Sequence, residues 1–311
     1  MPRPWPTTPP STADRAAHEA AVSRSYWLDA LPHRTPSPAL RGRERTSLCI
    51  VGGGFTGLWA AIHAKADDPG RDVVLLEGDM IGGAASGRNG GFCVASLTHG
   101  LSNGLTRFPE ELSTLERLGR ENYDGLLADV ARLGIACDLE QTGELTVALE
   151  PHQLEWLQEE ADLLARHGHD AVLLSREELR ASVASPTYLG GVWDRTAAAI
   201  LDPGKLAEGL RRAAVAAGVR IHEGSSVDEI ERTPQGLRVI TGPGVVDADR
   251  VLLATGAHPS LVGAVRARIA PVYDYVLVTE PLGAEQLAAV GWADRQGIGD
   301  SANQFHYYRL T

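Results

Sequence analysis

Cysteine, lysine and methionine are all scarce in this 311-residue sequence, which has three cysteines, two lysines and two methionines. Cys49, Cys93 and Cys137 are too few and too scattered for a disulfide framework, and none stands in a CxxC pair or beside a histidine at metal-ligand spacing. That usage fits a reducing compartment. With Lys65 and Lys205 the only lysines, most candidates for a catalytic lysine are removed. No run approaches the roughly 18 apolar residues that a membrane-spanning helix needs. The first 15 residues carry five prolines and no apolar core of a secretion signal. Positive charge is also short: 29 basic against 40 acidic residues leave a formal charge of −11, which repels phosphate backbones and anionic lipid faces. The expectation is a soluble, cytoplasmic protein with no nucleic-acid partner, no membrane span and no metal site.

What is present is enough to build cores. At 43% hydrophobic and 22% charged residues, the chain can bury one large core or two ordinary ones. A Pro/Thr/Ser-rich start (residues 1–11) leads to a helical stretch over residues 13–31 that Pro32 stops, with Tyr26 and Trp27 read as packing residues. From Ser47 the pattern is an apolar strand, a glycine turn, a helical run over residues 55–66, and a second strand over residues 73–76 that ends on Glu77. This is a βαβ unit. A glycine-dense stretch fills residues 82–104, and an amphipathic helix follows over residues 109–133. Two short strands are expected around residues 141–143, helices over residues 151–167 and 176–183, and a strand over residues 171–174 between them. Asp202-Pro203 opens a helix to Ala217. Strands are then expected over residues 219–222, 226–232, 237–241, 250–254, 268–280 and 304–310. His167 and His169 sit at a helix end and read as capping groups.

Gly52, Gly54 and Gly57 form a GxGxxG between strand and helix, the context in which this motif binds a dinucleotide. Gly52 allows the tight turn, Gly54 lets backbone approach the diphosphate, and Gly57 lets helix and strand pack closely. The helix N-terminus presents free N–H groups to an anion. Glu77, 25 residues after Gly52, is placed to accept both ribose hydroxyls and disfavours a 2′-phosphate. NAD and FAD share this fingerprint. The second cluster, Gly82-Gly-Ala-Ala-Ser86-Gly87-Arg88-Asn89-Gly90-Gly91, favours FAD: a flavin enzyme must run backbone along the diphosphate and the isoalloxazine ring. Arg88 and Asn89 stand as donors to diphosphate or ring oxygens. No histidine occurs in this loop, and Cys93 leads into an apolar segment, so the expected FAD is non-covalent.

The stretches Val51-Gly-Gly-Gly-Phe-Thr-Gly57, Leu75-Leu-Glu77, Ala85-Ser-Gly-Arg-Asn-Gly-Gly91, Ile200-Leu-Asp-Pro203 and Ala248-Asp-Arg-Val-Leu-Leu-Ala-Thr-Gly-Ala257 together resemble the D-amino-acid oxidase family of FAD-dependent oxidoreductases. Glycine oxidase, sarcosine oxidase and gamma-glutamylputrescine oxidase belong to it, and the last branch is the one these motifs resemble most. The resemblance implies an α/β fold. A Rossmann-like FAD-binding domain (residues 44–94 and 176–264) would carry an interleaved α+β substrate domain on a mainly antiparallel sheet (residues 95–175 and 265–311), behind an N-terminal extension with one helix (residues 1–43). It implies that Phe55 and Thr56 complete the glycine motif, that Ser86, Gly87, Arg88, Asn89, Gly90 and Gly91 line diphosphate and ring, that Val227 meets the adenine through its backbone, and that Thr255 and Gly256 pass close to the flavin.

The same resemblance implies oxidation of a C–N bond by hydride transfer to flavin N5. The substrate would be a small amine or amino acid, gamma-glutamylputrescine-like, sarcosine- or glycine-like, or an aminophosphonate, with dioxygen or another electron acceptor. Among Tyr273, Tyr275, His306, Tyr307, Tyr308 and Arg309 on the second sheet, it points to Tyr307 first and Tyr308 second as the substrate-facing residues. Strand alternation puts Tyr307 and Arg309 on one face and His306 and Tyr308 on the other. It also implies that the family's chain runs on past Thr311, which would make this one a C-terminally incomplete fragment. The competing readings are an NAD-linked dehydrogenase using the same βαβ motif and a flavin-binding module without turnover.

Overall fold

The computed structural model describes residues 9, 11–20, 24–196, 198–302 and 305–311. Most of the Pro/Thr/Ser-rich start, residues 21–23 of the expected first helix and Gln304 of the expected last strand lie outside the described residues. The first sheet has six strands in the order Arg220–His222, Val73–Leu76, Gly42–Val51, Gly244–Leu253, Gly236–Thr241 and Val227–Thr233. The first four run parallel and the last two form an antiparallel extension. Val73–Leu76 is buried along its whole length, as expected of a parallel strand covered on both faces. One face packs under helices Phe55–Asp67 and Pro203–Ala216 through Ile50, Leu75, Leu58, Ile62, Leu206 and Leu210. The other face holds Leu40, Val51, Val74, Leu76, Val239 and Val246.

The second sheet has five strands in the order Tyr307–Tyr308, Gly297–Asp300, Glu144–Ala148, Gly190–Asp194 and Ala171–Ser175. All its pairings are antiparallel except that between Gly297–Asp300 and Glu144–Ala148. Helix Gln153–Arg166 covers part of one face through Leu157 and Ala161, which pack on Ala148 and Val192. The two sheets are linked by a short antiparallel pair, Phe92–Val94 with Ala198–Ile200. Among the described residues, no helix is long and apolar enough to cross a membrane.

Several expectations are corrected. Residues 176–194, expected in the first unit, belong with the second sheet: Gly190–Asp194 is hydrogen-bonded on both sides there, and Leu179 of helix Arg176–Ser182 is buried in its core. Around residues 141–143 only Glu144–Ala148 is a strand; the other arm makes one isolated bridge, Glu140 to Ile200. The single expected first helix is two short ones, Thr12–Ala20 and Tyr26–Asp29.

The larger correction concerns residues 268–280, which form no strand. Their alternation is the pattern a ladder uses, but no described strand lies beside them. Pro271 removes one backbone donor, and Val272, Tyr273, Tyr275 and Leu277 are all more than 80% exposed. Tyr273 and Tyr275, expected on the second sheet, therefore lie outside it. The expected strand over residues 304–310 shrinks to Tyr307–Tyr308, paired with Ile298 and Gly299.

Candidate cofactor site

The glycine motif lies where strands Gly42–Val51 and Gly244–Leu253 end side by side, the first leading into helix Phe55–Asp67 and the second into the turn at Thr255. Ligands of open α/β sheets bind at the carboxyl ends of strands at such a point. Gly52 has φ +111°, and its N–H donates to the Leu76 carbonyl at 2.8 Å. A Cβ there would run into the Ala254 carbonyl, and one on Gly57 would run into the Gly52 carbonyl. Both positions therefore exclude any side chain. Ala254 N–H donates to Val51 O at 2.8 Å, and Thr255 and Gly256 follow directly at the rim, with His258 N–H closing a turn onto Thr255 O at 3.1 Å.

Helix Phe55–Asp67 starts on Gly54, which offers no side-chain cap, so its first N–H groups must find partners outside the helix. Ser86 supplies one: its Oγ accepts from Phe55 N–H at 3.0 Å. A Cβ on Gly54 would come to 2.8 Å from the same oxygen. Thr56 is exposed in the first turn. Glu77 ends its strand with one carboxylate oxygen accepting from Gly53 N–H at 2.7 Å and the other from Asp79 N–H at 2.9 Å. A carboxylate has about four acceptor positions, so both oxygens retain capacity for ribose hydroxyls. Ser225 N–H donates to the Glu77 backbone O at 2.8 Å, and Gly78 lies against Ser226, the residue before Val227.

Residues 82–91 form a braced loop with a single turn of 3-10 helix, Ala85–Gly87. Gly82 N–H donates to Gly53 O at 3.1 Å, which joins the two glycine clusters. The Asn89 amide donates to Ala85 O and Ser86 O at 3.0 and 2.9 Å and accepts from Gly91 N–H at 2.9 Å. It therefore holds the loop's shape, where a donor to the cofactor was expected. Arg88 donates through Nε to Gly83 O at 2.6 Å and is otherwise exposed. Backbone stripped of side chains, a helix start without a cap and an acceptor at the strand end together fit the diphosphate and ribose of FAD.

Tyr307 lies against this loop. Its ring occupies the place a Cβ on Gly90 would take, and it packs edge-on to Phe92 at 5.4 Å between centroids. Arg309 reaches the same loop, donating to Leu201 O at 2.5 Å and Gly91 O at 3.3 Å. Tyr308 points the other way, into the core of the second sheet, where its hydroxyl meets that of Tyr188 at 2.5 Å and its ring meets Trp292. Burial pushes both tyrosine hydroxyls of the strand up from their ordinary range. His306 bonds Asp300 at 2.9 Å at the surface. Cys93 lies just past the loop, with burial pushing its thiol up to about 11.

Three contributors were not singled out from the sequence as site residues: Gly53, the donor to Glu77; Trp27, whose indole N–H donates to Asn89 O at 2.8 Å; and Glu223. Glu223 accepts two bonds from Arg34, one from Ser37 N–H and one from Ile81 N–H, all at 2.7 Å. The run of three glycines was the available signal for the first. Nothing local marks the other two.

A sequence model of the family described as FAD dependent oxidoreductase matches residues 47–311. The gamma-glutamylputrescine oxidoreductase of Escherichia coli is 32% identical over 92% of this chain and 67% of its own length. A probable oxidoreductase, OrdL, of Haemophilus influenzae is 28% identical over 93% of this chain and 68% of its own. Among solved structures, glycine oxidase from Geobacillus kaustophilus superposes with a TM-score of 0.63 at 21% identity, covering 73% of this chain and 59% of that one; that likeness concerns the fold. The chain thus spans about two thirds of the length of the two sequence relatives and less of the structural one.

Proposed function

Because the chain belongs to the family of FAD-dependent oxidoreductases, and FAD is therefore its cofactor, we propose that the protein oxidises a C–N bond of a small amine or amino acid. Support for the substrate class comes from the relative named for gamma-glutamylputrescine and from the tyrosine that borders the cofactor loop. The observation that carries the reading is the meeting of Tyr307 with Gly90, since it puts a phenol beside the stretch expected to line the flavin. Bound FAD would supply the two-electron acceptor for a hydride from the carbon that bears the amine.

The chain's own groups supply the rest. First-turn N–H groups of helix Phe55–Asp67 bind the diphosphate, and Ser86 fixes the start of that helix. Glu77 accepts the ribose hydroxyls, and its charge disfavours a 2′-phosphate. Tyr307 is a phenol, protonated at neutral pH at its ordinary pKa of about 10 and raised further by burial; its role in this reading is to donate a hydrogen bond to substrate. Strand alternation and packing leave Tyr308 as structural support for that position. The two-electron oxidation would leave an imine for water to hydrolyse, and dioxygen or another acceptor would take up the electrons. The three free cysteines accord with a cytoplasmic setting.

The test is anaerobic mixing of the FAD-loaded protein with gamma-glutamylputrescine, sarcosine, glycine, D-amino acids and aminophosphonates. Bleaching of the flavin's visible band by one of them is expected. A flavin that none of them bleaches overturns the substrate class, and a colourless protein that takes up no FAD overturns the site.

A further inference from the structure

We propose that residues 25–40, which precede the residues matched by the family, form a strap that positions the cofactor loop, with Trp27 as its positioning residue. The strap is fastened at two ends. At one end Arg34 and Ser37 converge on Glu223, which is 1% exposed and also takes the Ile81 N–H at the start of the loop. Leu40 N–H donates to Ser225 Oγ at 2.9 Å beside it. At the other end the contacts fall on the loop itself. Ser25 Oγ–H donates to Gly87 O at 2.8 Å, and the Trp27 indole N–H donates to Asn89 O at 2.8 Å.

Trp27 is 7% exposed and is held on two sides. Gly204 presses on its backbone, where a Cβ would come to 2.9 Å from the Trp27 carbonyl. The Arg309 guanidinium lies 5.2 Å from its ring centroid, within cation–π range, while donating to the Leu201 and Gly91 carbonyls. Burial lowers the pKa of this arginine, and its hydrogen bonds go to backbone carbonyls, so its charge is balanced in part by the indole face. Trp27, Arg309 and the residue 87–91 backbone thus form one clamp. The Asn89 side chain already sets the loop's internal shape; Trp27 fixes where that shape sits relative to the glycine motif. A site arranged before binding does not lose affinity to ordering its own loop.

This inference rests on the reading of residues 82–91 as the FAD loop. It is tested on the full chain stripped of flavin, by titrating FAD into wild type, Trp27→Phe and Ser25→Ala while following flavin fluorescence, with thermal unfolding of each apoprotein in parallel. Trp27→Phe leaves a six-membered aromatic ring facing Arg309 but removes the indole N–H and the five-membered ring that carries it, and the parallel unfolding measurement accounts for the packing lost with that ring. The expected result is an FAD affinity about tenfold weaker with an apoprotein Tm within about 2 °C of wild type, and a loss of about threefold for Ser25→Ala. An affinity unchanged within twofold in Trp27→Phe overturns the strap while leaving the FAD site intact. An affinity that falls only in step with apoprotein Tm also overturns it, since Trp27 would then be packing alone. Failure of the wild-type chain to bind FAD overturns the site and the strap together.

Discussion

Gly57 and Glu223 show two ways in which one residue constrains the site, one through space and one through charge. At Gly57 the limit is backbone: an added methyl meets the Gly52 carbonyl, and neither partner is a side chain that can turn away. Gly57→Ala is therefore expected to lose about 2–3 kcal/mol of stability by overpacking, read by urea unfolding, and to lose measurable FAD binding, because the relief available is to move the turn that carries Gly52. At Glu223 burial pushes the carboxyl up, but the Arg34 guanidinium and two backbone N–H groups outweigh it and hold it below its ordinary range. A carboxyl depressed by folding contributes stability that is full above its unfolded pKa of about 4.3 and is lost as pH falls through the folded value. Glu223→Gln should accordingly flatten the acid limb of the stability profile. Arg34→Met should be worse at neutral pH, by roughly 3–5 kcal/mol, since it strands a buried carboxylate. Equal stability of Arg34→Met and wild type at pH 7 would contradict this network.

At the scale of elements, helix Pro203–Ala216 is specified locally. Asp202 accepts from Lys205 N–H at 2.9 Å, and proline fills the first turn. Asp202→Ala is expected to cost about 1 kcal/mol, seen as a lowered midpoint in thermal unfolding. Elements of this kind were legible in the sequence, as was the βαβ unit, because cap, turn and period all fall within a few residues. Gly190–Asp194 and Gly297–Asp300 were not. Their sequences, Gly-Gly-Val-Trp-Asp and Gly-Ile-Gly-Asp, carry no alternation, and they are strands because both pair with Glu144–Ala148 from a distance. Residues 268–280 fail in the opposite direction, with a clear period and no partner. The site divides the same way. Gly52, Gly54, Gly57, Glu77 and Ser86 stand in a recognisable order, and the structure brings them together around one helix start. The bonds from Trp27 to Asn89 O and from Ile81 N–H to Glu223 span 62 and 142 positions. Each uses a backbone group that every residue has, so no residue type announces it.

For the whole molecule, two long-range properties oppose each other. Val272, Tyr273, Tyr275 and Leu277 are 88%, 81%, 99% and 86% exposed. Because these four include both parities of an extended chain, neither side of the segment is covered. An apolar run with free backbone donors and acceptors is a template for pairing with another chain. The net charge of −11 works against association by repulsion, but beyond about 8 Å it is screened at physiological salt, whereas apolar burial is not. This chain is therefore expected to self-associate in a concentration-dependent way, and more strongly as salt rises from low to physiological levels. Sedimentation velocity over a tenfold concentration range at two salt levels reads this directly. Val272→Lys combined with Tyr275→Lys puts charge on both sides of the segment, and should return the protein to monomer while leaving FAD uptake unchanged, since both side chains stand in solvent, 88% and 99% exposed. A wild-type chain that stays monomeric at every concentration and at both salt levels would show that residues 268–280 are covered within the molecule itself.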